Sequence, residues 1–127
     1  MNGFFLVALG GAIGASARYG VGLALAQHGG VAGAWSTLTV NVVGSFLLGL
    51  LTAWGVERNW PGEEALWLLF GVGMLGAFTT FSTFSRDTVH MFMAGDNLKA
   101  IGYMALNLFG SITAFAIALI ALRKLLS

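Results

Sequence analysis

The stretch 98-LKAIGYMALNLFGSITAFAIALIAL-122 decides the fold class. Its one charge is Lys99, at its start, and Arg123-Lys124 closes it. A bilayer crossing takes about 20 mostly apolar residues as a helix, and this stretch is long enough. Just upstream, Gly95-Asp96-Asn97 makes a turn. Before it, a third apolar segment runs from about Ala65 to about Ala94. The loop Glu57-Arg58-Asn59-Trp60-Pro61-Gly62-Glu63-Glu64 carries four of the eleven charges and the only proline. A second span runs from about Trp35 to Val56, behind the Gly-rich turn His28-Gly29-Gly30-Val31-Ala32-Gly33. The first runs from about Asn2 to Gln27, with Arg18 as its only charge. Trp35, Trp54, Trp60 and Trp67 fall near span ends, as interfacial aromatic belts do. These segments are too long for barrel strands, and an open sheet edge is not tolerable in hydrocarbon, so the spans are expected to be helices. The expected fold is an all-α membrane protein, residues 1–127 forming one four-helix transmembrane domain.

Composition agrees. Of 127 residues, 57% are hydrophobic and 9% charged, with mean hydropathy +0.86. A soluble domain carries about 25% charged residues, and disorder needs low hydrophobicity with high charge. A net charge of +1 without a basic cluster argues against nucleic-acid binding. The absence of cysteine removes disulfides, thiol catalysis and Cys metal sites. No nucleophile–base pair, P-loop or metal-ligand cluster points to an enzyme. Ala24-Leu25-Ala26 resembles a leader cleavage site. But no Lys or Arg precedes the apolar run and Arg18 lies inside it, so the segment is expected to be retained.

Four spans put both termini on one side. Arg58, Arg123 and Lys124 then fall on one face of the membrane, and Arg18, Arg86 and Lys99 on the other. A three-to-three tally gives no preferred direction under the positive-inside rule. Either another signal fixes one orientation, or both orientations insert and two copies pair antiparallel. Gly10 and Gly14, Ser45 and Gly49, and Gly71, Gly73 and Gly76 allow close helix approach, within the monomer or between copies.

Polar groups in hydrocarbon are costly and mark function. Thr37, Asn41 and Ser45 recur at i, i+4, i+8 on one face of the second span. Tyr103, Asn107 and Ser111 repeat that spacing in the fourth. The third holds Thr79, Thr80, Ser82, Thr83 and Ser85. Hydroxyls can bond backbone carbonyls locally, but a carboxamide brings two N–H donors and an acceptor. Donors on three spans suggest a lined path. Cation paths normally show carboxylates or carbonyl rings, so donors without acids favour a small anion or a neutral solute. Asp87 and His90 lie toward the end of the third span, and His90 reads as a surface or satisfied histidine.

The run 71-GVGMLGAFTT-80 is a poor helix, since interior Gly costs about 1 kcal/mol against Ala. A break is expected near Gly76 to Thr80. Freed carbonyls there are able to hold a hard cation such as Na+. Phe81 and Phe84, at i and i+3, share a face. They either pack or present their positive ring edges to an anion.

The segment 76-GAFTTFSTFS-85 resembles the signature of the Fluc (CrcB) family of fluoride channels. The segments 10-GGAIGASARY-19, 37-TLTVNVVGS-45 and 107-NLFGS-111 agree in order and spacing, so the likeness covers nearly the whole chain. The resemblance implies dual-topology homodimers with two antiparallel pores, in the cell's inner (plasma) membrane. It implies passive fluoride export and a central structural Na+ held by backbone carbonyls, here those of Gly76 and Thr79. The paired pore phenylalanines match Phe81 and Phe84, and the pore asparagine matches Asn41. The polar track matches Ser82 and Thr83, with Asn107 and Ser111 on the fourth span and Tyr103 on their stripe; Thr37 belongs to the Asn41 stripe. Arg18 matches an arginine placed to draw anions toward a vestibule. Ala77 stands where the family often has a second glycine, and Asp87 where a glutamate is common.

Physical chemistry is consistent with this. Fluoride is small and strongly hydrated, so a filter must replace its water with donors and still release it. The alternatives are a small dual-topology multidrug exporter, which wants a membrane-embedded acid that the first span lacks, and a non-transporting assembly subunit. The expected partners are fluoride, a second copy and membrane lipid.

Overall fold

The computed structural model describes residues 2–26, 32–57 and 65–126. The Gly-rich turn up to Val31 and the loop from Arg58 to Glu64, with Trp60, lie outside the described residues. Helix α1 is Gly3–Ala26 and α2 is Ala32–Glu57. The third span opens with a π-helix, π1, Trp67–Leu75, followed by one α-turn, α3, Gly76–Phe78. It continues as α4, Phe81–Met93; α5 is Asn97–Leu126. Four spans of 24 to 30 residues are long and apolar enough to cross a membrane. At 1.5 Å per residue even the shortest reaches about 36 Å.

Packing fixes the direction of each span. Gly3 faces Leu68, Gly10 faces Gly73 and Gly14 faces Met74, so α1 and π1 run parallel. Gly49 meets Phe115 and Ala118, and Glu57 pairs with Arg123 at 3.6 Å, so α2 and α5 also run parallel. Asn41 reaches Thr80 and Thr37 reaches Asp87, so α2 opposes the third span. The chain therefore alternates up and down, with Ala26, the start of α2, Met93 and Lys99 at one end of the bundle.

Missing side chains set the α1–π1 approach. A Cβ on Gly10 would strike the Leu69 carbonyl, and one on Gly14 the Met74 carbonyl. Gly73 returns the contact, 2.8 Å from the Val7 carbonyl to where its own Cβ would stand. The Trp67 ring lies over Gly71 in the same way. Glycine makes departure from α geometry cheap. Here the ladder widens, and the Gly76 N–H donates to the Gly71 carbonyl five residues back.

Between spans three and four, Gly95 takes φ of 81°, a left-handed conformation that suits glycine. Asp96 N–H donates to the Met91 carbonyl and Gly95 N–H to that of Phe92, a Schellman stop. Trp35, near the start of α2, is exposed, as an interfacial ring would be.

Candidate functional site

Thr79 and Thr80 are extended, with ψ of 159° and 118°, between α3 and α4. The expected break spanned Gly76 to Thr80; Gly76–Phe78 are helical, and the extended backbone is confined to the two threonines. An extended residue within a span leaves its amide groups needing partners. Asn41 of α2 supplies both for Thr80. Its Oδ1 accepts from Thr80 N–H at 2.8 Å, and its Nδ2 donates to the Thr80 carbonyl at 3.1 Å. Thr80 is buried by this clasp. Its hydroxyl caps α4, accepting from Thr83 N–H at 3.2 Å, and bonds the hydroxyls of Thr83 and Ser82. Thr80 N–H is thereby turned away from the Gly76 carbonyl, its α-helical acceptor. The neighbouring Thr79 carbonyl takes Arg18 Nη1 at 3.4 Å.

The two stripes legible in the sequence meet. Parallel α2 and α5 bring Thr37 level with Tyr103, Asn41 with Asn107 and Ser45 with Ser111, each pair 66 positions apart. Steps of four residues separate these rungs by about 6 Å. In the middle rung Asn41 Nδ2 also donates to Asn107 Oδ1 at 3.0 Å, and Asn107 Nδ2 donates to the Tyr103 carbonyl at 3.1 Å. Asn107 is buried. At the rung nearer the turn between spans three and four, the Tyr103 hydroxyl donates to Asp87 Oδ2 at 3.2 Å, and the Thr37 hydroxyl has two acceptors at 3.1 Å, Asp87 Oδ2 and the Gly33 carbonyl. At the third rung, Ser111 Oγ is the buried side-chain polar atom left without a partner among the described residues.

A recess of about 500 Å³ opens along the middle and third rungs of this ladder. Asn41, Ser45, Thr80, Asn107 and Ser111 give it a polar wall; Phe81 and Phe84 line it too. Phe81 is 79% exposed, and its ring centroid lies 5.3 Å from that of Phe84. Phe84 in turn stands 5.7 Å from the Tyr103 ring, so the aromatic row follows the polar one. Beyond the Thr37–Tyr103–Asp87 rung lies a second hollow of about 270 Å³, lined by Asp87, His90 and Asp96 at the bundle's end.

The structure thus brings together Thr37, Asn41, Phe81, Phe84, Tyr103, Asn107 and Ser111. Ser82 and Thr83 join through the Thr80 hydroxyl and do not line the recess. Arg18 stands apart, against the Thr79 carbonyl. Sequence reasoning left two contributors unassigned. Thr80 is the backbone partner of Asn41, and Asp87 is the common acceptor of both stripes' outer hydroxyls. The signal for Asp87 was its spacing, one turn beyond Phe84 on the same face.

Comparison with known proteins gives the same chemistry a lineage. Residues 5–119 match the family model described as CrcB-like protein, Camphor Resistance (CrcB). A fluoride-specific ion channel FluC of Idiomarina loihiensis is 50% identical over 111 residues, covering 87% of this chain and 84% of that one. The protein of the same name from Hyphomonas neptunium is 42% identical over 125 residues, 98% of each. That of Shewanella sp. (strain ANA-3) is 48% identical over 108 residues, 85% of this chain and 86% of the relative. These relatives are channels, not enzymes, and they give no support to the multidrug-exporter alternative. With four membrane-crossing helices and a family match over most of its length, this chain is a multi-pass membrane protein that belongs to the CrcB family.

Proposed function

We propose that the chain is a fluoride-selective channel, passively exporting fluoride across the cell's inner (plasma) membrane to relieve its toxicity. The observation that carries this reading is the three-rung ladder of neutral donors beside Phe81 and Phe84, with Ser111, whose buried hydroxyl has no partner among the described residues, in the wall of the recess. Asn41, Asn107, Ser111, Thr37 and Tyr103 replace water around the ion, and the Phe81 and Phe84 edges guide it along the row. Ser82 and Thr83 hold the Thr80 hydroxyl at the head of α4, and Arg18 adds positive potential near the recess. The names of the relatives, fluoride-specific ion channels, support the choice of ion.

The functional unit in this reading is an antiparallel homodimer of the one four-helix domain, with the interruption of the third span at its interface. The level charge tally of the sequence is compatible with insertion both ways. A structural Na+ belongs to the same reading. Neutral carbonyl oxygens suit a hard cation, Gly76 is exposed, and Thr80 N–H is directed away from the Gly76 carbonyl and onto Asn41. The carbonyls of Gly76 and Thr79 would hold the ion, whose charge offsets that of a nearby anion.

Flux from proteoliposomes tests the proposal. Purified protein should release fluoride, read by an ion-selective electrode, and retain chloride. Equal leak of both ions, or release of neither, refutes it.

A further inference from the structure

Asp87 places a carboxylate at the rung where the ladder meets the outer hollow. Beside an anion path an acid is a barrier, yet this one is well supplied with partners. Its side chain is 10% exposed. Oδ2 accepts from Thr37 and Tyr103; Oδ1 accepts from Arg86 Nη2 at 2.8 Å and from Arg86 Nε at 3.1 Å. The two Arg86 bonds share one oxygen, and the Arg86 side chain remains 61% exposed. Among the described residues, the other charged or titratable groups toward this end are Arg18 on the Thr79 carbonyl, His90 and Asp96 around the hollow, and Lys99, 4.0 Å from Asp96. Arg86 is therefore the cation on the Asp87 carboxylate itself.

We propose that Arg86 is a positioning residue of the pathway, acting through Asp87. Its fork fixes Oδ1, which turns Oδ2 onto the Thr37 and Tyr103 hydroxyls and holds both in register with the ladder. Its charge offsets the carboxylate, so an anion crossing this rung meets a near-neutral pair. The inference rests on the fluoride reading above. The Arg86 side chain is largely exposed, and without it the carboxylate keeps its Thr37 and Tyr103 donors, so removing Arg86 should leave the fold intact and act on conduction.

The test is a cycle of R86A, D87N and the double variant in proteoliposomes, each checked by size-exclusion elution. R86A should lower fluoride flux about five- to tenfold, the solvent-screened effect of leaving one negative charge uncompensated at the path. In the D87N background the same substitution should change nothing further, so the double variant matches D87N. R86K, which keeps the charge, should conduct better than R86Q, which loses it; that comparison decides the matter if R86A assembles poorly. An equal loss in both Asp87 and D87N backgrounds would make Arg86 a general attractor of anions and overturn the inference. So would unchanged flux in R86A, or R86K no better than R86Q. If wild type carries no fluoride, the channel reading and this inference fall together. If wild type conducts and R86A matches it, only the inference falls.

Discussion

Replacing Asn41 by aspartate changes one nitrogen into oxygen at the centre of the ladder. That nitrogen donates to the Thr80 carbonyl at 3.1 Å and to Asn107 Oδ1 at 3.0 Å. Both bonds become oxygen–oxygen contacts and leave two acceptors of buried residues unpaired, a loss of about 1–3 kcal/mol each. Thr80 N–H keeps its acceptor, so the clasp is half retained. The larger effect falls on the ion. A fluoride one rung away, about 6 Å, meets the new charge with about 3 kcal/mol of repulsion at an effective dielectric of 20, or roughly a 100-fold loss of flux. Asn41→Ala provides the comparison: it removes the same two donors, and the Thr80 N–H acceptor as well, but adds no charge. In liposome efflux, N41D should fall well below N41A, while both elute like wild type on size exclusion. An N41D protein that assembles and conducts within about threefold of wild type, under 1 kcal/mol, would remove Asn41 from the path.

Phe81→Ile and Phe84→Ile should each cut fluoride flux by up to about tenfold, the value of a ring-edge contact of 0.5–1.5 kcal/mol. Because Phe81 is largely exposed, F81I should leave thermal stability in detergent unchanged; unaltered flux in both variants would make the rings mere packing. Gly14→Ala drives a Cβ into the Met74 carbonyl and should destabilise the bundle by about 1–3 kcal/mol or more. Gly11→Ala meets open space and serves as its neutral control, so equal melting temperatures for the two would contradict the α1–π1 packing. Exchange into sodium-free buffer should weaken fluoride flux if Na+ bridges the Gly76 and Thr79 carbonyls, and bound sodium should survive purification. Full activity without sodium, together with no sodium in the purified protein, would argue against that site.

The spans were legible because hydrocarbon leaves so few choices. Length and apolar composition place four helices, and Gly95 marks the last turn within a residue. The stripes were legible for a second reason: a helix repeats its face every four residues, so Thr37-Asn41-Ser45 and Tyr103-Asn107-Ser111 must each line one side. What no single stripe contains is the register between helices. That register depends on where backbones touch, at Gly10, Gly14 and Gly73, and at Gly49 against Phe115. Only once it is set does Asp87 fall between Thr37 and Tyr103, and Thr80 under Asn41. The π-helical opening of the third span escaped for a related reason. Its glycines show that α geometry is weakly held there, but the Trp67 ring over Gly71 belongs to local packing.

The ladder is notable for how few of its donors are idle. Asn41 Nδ2 is shared between two acceptors, Asn107 Nδ2 is given to a backbone carbonyl, and the Thr37 and Tyr103 hydroxyls are given to Asp87. An anion entering such a site exchanges hydrogen bonds with protein acceptors and does not collect free ones. On the fluoride reading this resolves the conflict every selective channel faces. Free donors in sequence would match a strongly hydrated ion so well that it stayed; no donors would leave it in water. Donors already held by protein acceptors sit between these limits, since the net gain per exchanged bond is small. The unpartnered Ser111 hydroxyl then differs from the donors of the other two rungs: it is buried in the recess wall with no bond to surrender. The ladder is therefore asymmetric along its length, with the ready donor at one end and the Asp87 carboxylate, the strongest competing acceptor, at the other.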